Sequence, residues 1–333
     1  MILEVALSSD DNFVMQMGVT IISLMETNQE YFDKINVHIL NNGISDKNLK
    51  KLSLLENKYE KLNYFYYDVK FINEVIPEIG KYNSAYHLGL SAYSRLFLGS
   101  LIDNIDKILY LDADTIVTGS LLDFYKQDFK DNYLIGIADT LPYFIQEKWG
   151  FKTETVFVNT GVLLINLKKW RLDNIGEKFM DTLKSFSSPN MRNDQNIINK
   201  ALIGKMIISP EIKYNATPNV FFIKNDKFKK LGYLLKTQKI NINRILKESR
   251  ENPIIIHFLG GGIWSRPWEE NCNHPLTNKY LEYKNNSPWK DFQSYKPKFT
   301  SKLIKSIIMF VLVNFPAFFV LLIYRIILIF RYK

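Results

Sequence analysis

KILYLDADTIVTGS, residues 107–120, is the stretch on which the reading of the fold turns. Ile108, Leu109, Tyr110 and Leu111 form a short apolar run of the kind that fills a buried strand, and the run ends on Asp112 and Asp114. Residues i and i+2 of a strand point to one face, so the two carboxylates can converge on one cation. In open α/β sheets, ligands gather beyond the carboxyl ends of the strands, where a hard divalent ion can hold a diphosphate. No basic residue flanks the pair within the motif, which favours a metal–phosphate site over a salt bridge. Asp-x-Asp alone also occurs in ordinary turns; the strand in front of it carries the argument.

Outward from this motif, strand-like and helix-like runs alternate. The strands are expected at Leu3–Leu7, Ile35–Leu40, Leu62–Tyr67, Ile108–Leu111, Tyr133–Ala138, Val162–Ile165 and Ile254–Phe258. Helices are expected over 14–26, 46–58, 91–102, 121–126, 168–185 and 194–203. Asn41-Asn42-Gly43 marks a turn, and Ser45 or Ser120 can cap the helix after it. Such alternation predicts an α/β domain with a mainly parallel central sheet. No internal repeat or low-complexity segment interrupts it.

The 333 residues can bury a sizeable core, and 47% hydrophobic with 14% aromatic content excludes a disordered chain. The single cysteine, Cys272, rules out an intramolecular disulfide framework and fits a reducing compartment. Four histidines without a Cys/His cluster argue against structural zinc. MILEVALSSDDN lacks a basic leader and has Glu4 within its apolar run, so it reads as a first strand and not as a signal peptide.

The net charge of +9 is unevenly spread. Residues 299–333 hold Lys302, Lys305, Arg325, Arg331 and Lys333 and no acid; subtracting these 5 from 43 bases leaves 38 against 34 acids, or +4. More than half of the excess therefore sits on an apolar tail, the pattern of a membrane partner before that of nucleic acid. Ile307–Tyr324 is 18 uncharged residues interrupted by Asn314 and Pro316, so a kinked span, a re-entrant element, an interfacial helix and a buried core helix all stay open. A basic stretch from Lys224 to Arg250 reads as a solvated helical surface, with a lip facing an anionic acceptor or the membrane as the second reading. From Arg266 onward the texture turns to Pro, Trp, Tyr and Asn, an irregular wrap or linker.

Four further stretches stand out: Ser8-Ser9-Asp10-Asp11-Asn12 after the first strand, Asn159-Thr160-Gly161 leading into VLLINLKKW, Asn193-Asp194-Gln195 opening a helix, and His257-Phe258-Leu259-Gly260 with Pro267-Trp268 beyond it. Together with LYLDADTIV, and in this order from about Leu3 to Trp268, they resemble glycosyltransferase family 8, the glycogenin-like and lipooligosaccharide galactosyltransferase group. The resemblance implies a GT-A fold, a nucleotide-sugar donor, Mn²⁺ (with Mg²⁺ as a substitute) and retention of anomeric configuration. It assigns Asp112, Asp114 and His257 to the metal, Ser8, Asp10 and Asn12 to the uridine, and Arg95 to the diphosphate and sugar. Asn159 and Asp194 would hold hexose hydroxyls, and Gln195 would sit near the anomeric carbon opposite the leaving group. A glutamine is a poor nucleophile, so a front-side route is preferred, in which the departing phosphate takes the acceptor proton; Asp194 is the carboxylate that a double displacement would need. Gly260 opens a three-glycine run, and Arg266 stands where the family usually carries a lysine to the diphosphate; arginine keeps the charge but changes its geometry.

Each residue alone also has a plain structural reading. Asp10 or Asp11 can cap the helix that follows, Asn159 can shape a turn, Asp194 can be a helix-start acid, His257 a core histidine and Arg95 a surface residue. The ordered set carries the case. Two rivals remain: Asp112–Val117 also resembles the nucleophile motif of haloacid-dehalogenase-type phosphatases, and the altered Arg266 loop leaves open a membrane-bound nucleotide-sugar-binding protein without turnover. The expected organisation is a GT-A catalytic domain over 1–268, a Pro/aromatic-rich wrap or linker over 269–300 and a membrane-associating tail over 301–333. The expected activity is transfer of galactose or glucose from UDP to a lipid-linked or cell-surface glycan, such as lipopolysaccharide or lipooligosaccharide. The expected place is the cytoplasmic face of a bacterial inner membrane, peripheral or shallowly anchored.

Overall fold

The computed structural model describes residues 1–76, 90–140, 146–147, 149–152, 155–187, 191–230, 241–259 and 264–296, with nine positions between 307 and 322. Nine strands are present among them: β1 (Ile2–Ser9), β2 (Lys34–Asn41), β3 (Leu62–Asp68), β4 (Lys107–Leu111), β5 (Thr115–Val117), β6 (Leu134–Ala138), β7 (Val158–Asn166), β8 (Met206–Ser209) and β9 (Ile255–His257). Seven form a central sheet in the order β3-β2-β1-β4-β7-β6-β8, and β5 pairs with β9 in a separate two-stranded sheet. Every pairing in the central sheet is parallel except those of β7, which runs against both β4 and β6. The mainly parallel α/β sheet is therefore as expected. The apolar runs of β4 and β6 are continuous because these strands are covered on both faces.

The reversed strand is what builds a site. In a parallel sheet only carboxyl ends meet at one edge. Because β7 is antiparallel, its first residues arrive where β4 finishes: Leu111 lies opposite Val162, and the Asp112 N–H donates to the Gly161 carbonyl at 2.8 Å. β7 begins at Val158, so Asn159-Thr160-Gly161, read from sequence as leading into a strand at Val162, is itself strand. Pairing with β4 and β6 supplies the backbone partners that let this polar tripeptide extend.

Helix α1 (Val14–Asn28) follows β1, and 13 of its 15 residues are buried, which demands neighbours all round. It touches β1, β5, helix α2 (Asp46–Lys58) and a helix over Thr277–Asn285. Its Thr20 hydroxyl donates to the carbonyls of Thr115 (2.7 Å) and Ala113 (3.0 Å), and its Ser23 hydroxyl accepts from Val117 N–H at 2.9 Å. The Asp112–Asp114 corner is thereby tied to a rigid helix on its far side. Ser45 caps α2 as expected, accepting from Asn48 N–H.

Several elements differ from the sequence reading. The single helix expected over 168–185 is two, Leu167–Leu172 and Ile175–Ser185, because Asn174 takes a left-handed conformation (φ 47°) that breaks the run. The helix expected over 91–102 is a 3₁₀ stretch, Leu90–Phe97, followed by one α-turn, Leu98–Leu101. Arg250, counted with the solvated basic surface, is spent internally: it donates to the carbonyls of Val220 and Ile223 and to Asn225 Oδ1 at 2.6–2.7 Å.

The Pro- and aromatic-rich stretch contains the helix Thr277–Asn285, and its Tyr280, Tyr283 and Trp289 join the main apolar core. Trp289 lies against Gly18 so closely that any side chain there would enter the indole, and its Nε1 donates to Asn48 Oδ1 at 3.0 Å. Among the described residues no helix is long and apolar enough to cross a membrane; most of the tail lies outside them, and Phe310 and Phe318 within it are exposed.

Candidate metal and sugar site

Asp112 and Asp114 leave the end of β4 on a corner that leads straight into β5. β5 pairs antiparallel with β9, which sets His257 opposite Thr115, and the Phe258 N–H donates to the Asp114 carbonyl at 2.8 Å. His257 thus closes on the acids from the far side. Its Nε2 lies 3.1 Å from Asp114 Oδ1 and 3.6 Å from Asp112 Oδ2, and one ligand atom from each of the three residues falls within 4.8 Å of the others. Two carboxylates and an imidazole suit a divalent cation.

The imidazole tautomer is fixed by a chain of hydrogen bonds that starts on the backbone. Gly161 N–H donates to Asn159 Oδ1 (3.0 Å), which also accepts from Asn215 Nδ2 (2.8 Å). Asn215 Oδ1 therefore faces His257 Nδ1 at 3.0 Å and accepts its proton. Nε2 is left to point at the acids, the arrangement of a histidine ligand held by an outer partner. Asn215 carries no signal in the sequence, since it lies in a short 3₁₀ segment, Ile212–Asn215, outside every motif.

The expectation that the acidic pair has no basic neighbour fails in three dimensions. Arg95 Nη2 contacts Asp112 Oδ1 at 2.6 Å, and Arg266 Nη2 lies 3.7 Å from Asp114 Oδ2. Sequence-adjacent residues cannot show partners that arrive from 17 and about 150 positions away. Arg95 is only 3% exposed, and its remaining nitrogens are also engaged, Nη1 with the Thr160 carbonyl at 2.5 Å and Nε with Ala92 O and, at 3.2 Å, Asp194 Oδ2. The guanidinium assigned by resemblance to the diphosphate and sugar here joins Asp112, Asp194 and the Thr160 carbonyl.

Arg266 is different. Its guanidinium lies over the rings of Phe13 and Trp268, and its buried Nε has no hydrogen-bond partner among the described residues. An unsatisfied donor beside a cation site fits an anionic oxygen.

The charges show that the site fits a cation. Asp112, Asp114 and Asp194 face Arg95 and Arg266, three negative against two positive, in a largely dry pocket. Burial pushes the Asp112 carboxyl up, against the pull of Arg95 and His257. Burial acts the same way on Asp114, but His257 holds it below the usual carboxylate range. Burial works against charge on His257, yet Asp114 and Asp112 raise its pKa above the ordinary value. A proton on the ring thus balances the charge that a bound cation would balance instead, so metal and proton compete.

The helix Asp194–Ala201 is capped by Asn193, which accepts from Asn196 N–H at 2.7 Å, and Asp194 Oδ2 accepts from the Thr160 hydroxyl at 3.1 Å. Gln195 Oε1 accepts from Thr160 N–H at 3.2 Å, and its Nε2 donates to Asp139 Oδ2 at 2.8 Å. Asp139 was not singled out in the sequence, although an acid ending an apolar strand is the same signal that marks Asp112.

The residues assigned to the uridine are placed at the end of β1. Ser8 is buried, donating to the Ser91 carbonyl at 2.8 Å and accepting from Ser94 Oγ at 2.7 Å. Asp10 Oδ1 accepts from the N–H groups of Asn12 and Phe13 in the turn before α1, whose N-cap is Phe13 without a side-chain cap, so neither Asp10 nor Asp11 caps that helix. Asn12 is exposed at the same rim. Gly260 lies outside the described residues.

Gly161 shows how tightly the two halves meet. A Cβ built there would sit 2.8 Å from Asp112 Oδ2 and 2.7 Å from His257 Nδ1, with the imidazole Cε1 closer still. Gly161→Ala is expected to push both ligands apart and weaken divalent-cation binding by about 10–100-fold, as loss of outer support does in metal sites. Calorimetry with Mn²⁺ checks this, and wild-type affinity in the variant would show that His257 is not pressed against β7.

A mainly parallel sheet with a carboxylate pair just past β4, and a histidine brought to it by β9, can be set beside known proteins. The profile of glycosyl transferase family 8 matches residues 4–272. General stress protein A of Bacillus subtilis is 23% identical over 294 residues, covering 86% of this chain and 95% of its own length. A lipopolysaccharide 1,2-glucosyltransferase of Escherichia coli is 26% identical over 288 residues, 85% of this chain and 78% of its own. Among solved structures, galactosyltransferase LgtC, in complex with donor and acceptor sugar analogs, superposes with a TM-score of 0.70 at 22% identity, covering 86% of this chain and 96% of that one. The chain belongs to glycosyltransferase family 8. Its mixed α/β architecture with a mainly parallel central sheet is that of the GT-A fold, and family membership replaces the phosphatase alternative.

Proposed function

We propose that this glycosyltransferase is a retaining, Mn²⁺-dependent hexosyltransferase that moves galactose or glucose from a UDP donor to a lipid-linked or cell-surface glycan. The observation that carries the reading is the Asp112–Asp114–His257 cluster at the carboxyl end of β4, in a chain of this family. Two of the similar proteins point to the same chemistry, one being a lipopolysaccharide 1,2-glucosyltransferase and the other a galactosyltransferase. The donor set, two carboxylates with one imidazole, suits Mn²⁺ better than the all-oxygen preference of Mg²⁺.

Asp112, Asp114 and His257 would hold the ion, which when bound neutralises charge on the departing nucleoside diphosphate. Arg266, whose Nε–H has no partner among the described residues, would add a charge-assisted hydrogen bond to the same phosphates. Gln195 Oε1 accepts one N–H and keeps a second lone pair for the sugar face. Asp194 is less suited to serve as a nucleophile, because Arg95 and the Thr160 hydroxyl already hold its Oδ2. That supports a front-side route, with the departing phosphate as the base for the acceptor hydroxyl.

The test is UDP release from a panel of UDP-sugars with Mn²⁺ and with chelator. Ion-dependent release from one or two hexose donors supports the reading. UDP-hexose binding with neither hydrolysis nor transfer to any glycan acceptor would instead favour a binding protein without turnover.

The basic, apolar tail supports a peripheral position at the cytoplasmic face of a bacterial membrane, where a lipid-linked acceptor is met at high local concentration. Deleting residues 301–333 is expected to leave donor hydrolysis unchanged and move the protein from the membrane pellet to the soluble fraction. A truncated protein that stays in the pellet would overturn this placement.

A further inference from the structure

Asp139 belongs to none of the sequence motifs, yet it lies where two of them meet. It follows the last residue of β6, past a register shift between Gly136 and Ile137 that sets Ile137 opposite Asn159, and Asp139 N–H donates to the Phe157 carbonyl at 2.8 Å. Its side chain is buried, 5% exposed. One oxygen, Oδ2, accepts from Gln195 Nε2 at 2.8 Å and from Asn159 Nδ2 at 3.3 Å.

Both of those amides are pinned at their other end by backbone N–H groups. Gln195 Oε1 takes Thr160 N–H, and Asn159 Oδ1 takes Gly161 N–H together with Asn215 Nδ2. An ionised carboxylate only accepts and a backbone N–H only donates. Turning either amide over would set oxygen against carboxylate and NH₂ against N–H, two buried mismatches at once. The orientation of each amide is therefore single-valued, and Asp139 is the common acceptor that makes it so.

We propose that Asp139 is a positioning residue for hexose transfer: it sets which polar atoms of Gln195 and Asn159 face the sugar, without ligating the metal. The proposal rests on the hexosyltransferase reading above and extends it to a residue that acts through two others. It predicts a graded effect on the two halves of the donor. UDP is held by the Asp112–Asp114–His257 side, which Asp139 reaches only through the longer of its two bonds, to Asn159, and then Asn215, whereas the hexose meets Gln195, which Asp139 holds directly.

The experiment compares Mn²⁺-dependent affinity for UDP and for UDP-hexose, by calorimetry, in wild type, Asp139→Ala and Asp139→Asn, together with kcat and KM for donor hydrolysis. Asp139→Ala should lose more affinity for UDP-hexose than for UDP, so that its preference for UDP-hexose over UDP drops about tenfold, as loss of a charged acceptor would give, and should fall in kcat. Asp139→Asn keeps one accepting oxygen and should recover part of both losses. An unchanged preference and kcat in the alanine variant would overturn the proposal. So would UDP and UDP-hexose affinities falling in step in both variants, since that is the mark of a merely structural residue. A wild-type protein that binds no UDP with Mn²⁺ would overturn the functional reading itself, and the proposal with it.

Discussion

Replacing Asp112 or Asp114 by asparagine should lower Mn²⁺-dependent turnover of UDP-hexose by about a thousandfold, the scale on which removal of one charge-stabilising group acts. The substitution is isosteric, so the fold around it has little to accommodate. What changes is the charge. With three carboxylates facing two guanidiniums, losing one leaves Asp194 and the remaining acid already neutralised by Arg95 and Arg266. The site then has no excess negative charge to attract a dication, and His257 alone cannot hold one. Turnover and Mn²⁺ binding should fall together. A variant with wild-type turnover would show that the pair serves only to anchor the two arginines.

Arg95→Met should be the most damaging single change to stability. The side chain is buried against the ring of Tyr110, with its guanidinium carbon 4.3 Å from the ring centre, and it joins Asp112, Asp194 and the Thr160 carbonyl. Burial disfavours its charge, but Asp112, Tyr110 and Asp194 more than offset this and raise its pKa. Methionine fills much of the volume and leaves two buried carboxylates without their cation, a loss of roughly 3–5 kcal/mol. Asp112, whose carboxyl burial already pushes up, would then take a proton more readily and stop serving the metal. Lysine should not rescue, because one ammonium cannot reach three separate acceptors. Urea unfolding of the variant and of Arg95→Lys measures the effect; a midpoint equal to wild type in Arg95→Met would refute the role given to Arg95.

The parts of this arrangement that the sequence reveals are those written in consecutive residues. Ile108–Leu111 followed by Asp112 and Asp114 is a strand delivering two acids, and burial on both faces explains why the apolar run is unbroken. The direction of a strand is not written that way. Alternating apolar runs read alike whichever way they point, so nothing marked β7 as reversed, and its reversal is what brings Asn159 and Gly161 to Asp112. β5 and β9 are three residues each, too short to show a period, yet their pairing is what places His257. Resemblance named His257 where the local sequence did not. Partners across space were the least legible: the contacts of Arg95 with Asp112 and Asp194, of Asn215 with His257 and Asn159, and of Asp139 with Gln195 all join residues from different elements. Asp139 alone had a usable signal, since Leu134–Ala138 ends on an acid just as Ile108–Leu111 does.

Titration of UDP into the purified protein with saturating Mn²⁺ and again with chelator is decisive, because Asp112, Asp114 and His257 would act by gripping the ion that grips the diphosphate. The account predicts one ion-dependent UDP site per chain, lost when the ion is removed and lost in Asp112→Asn. UDP binding of equal affinity in chelator would contradict it.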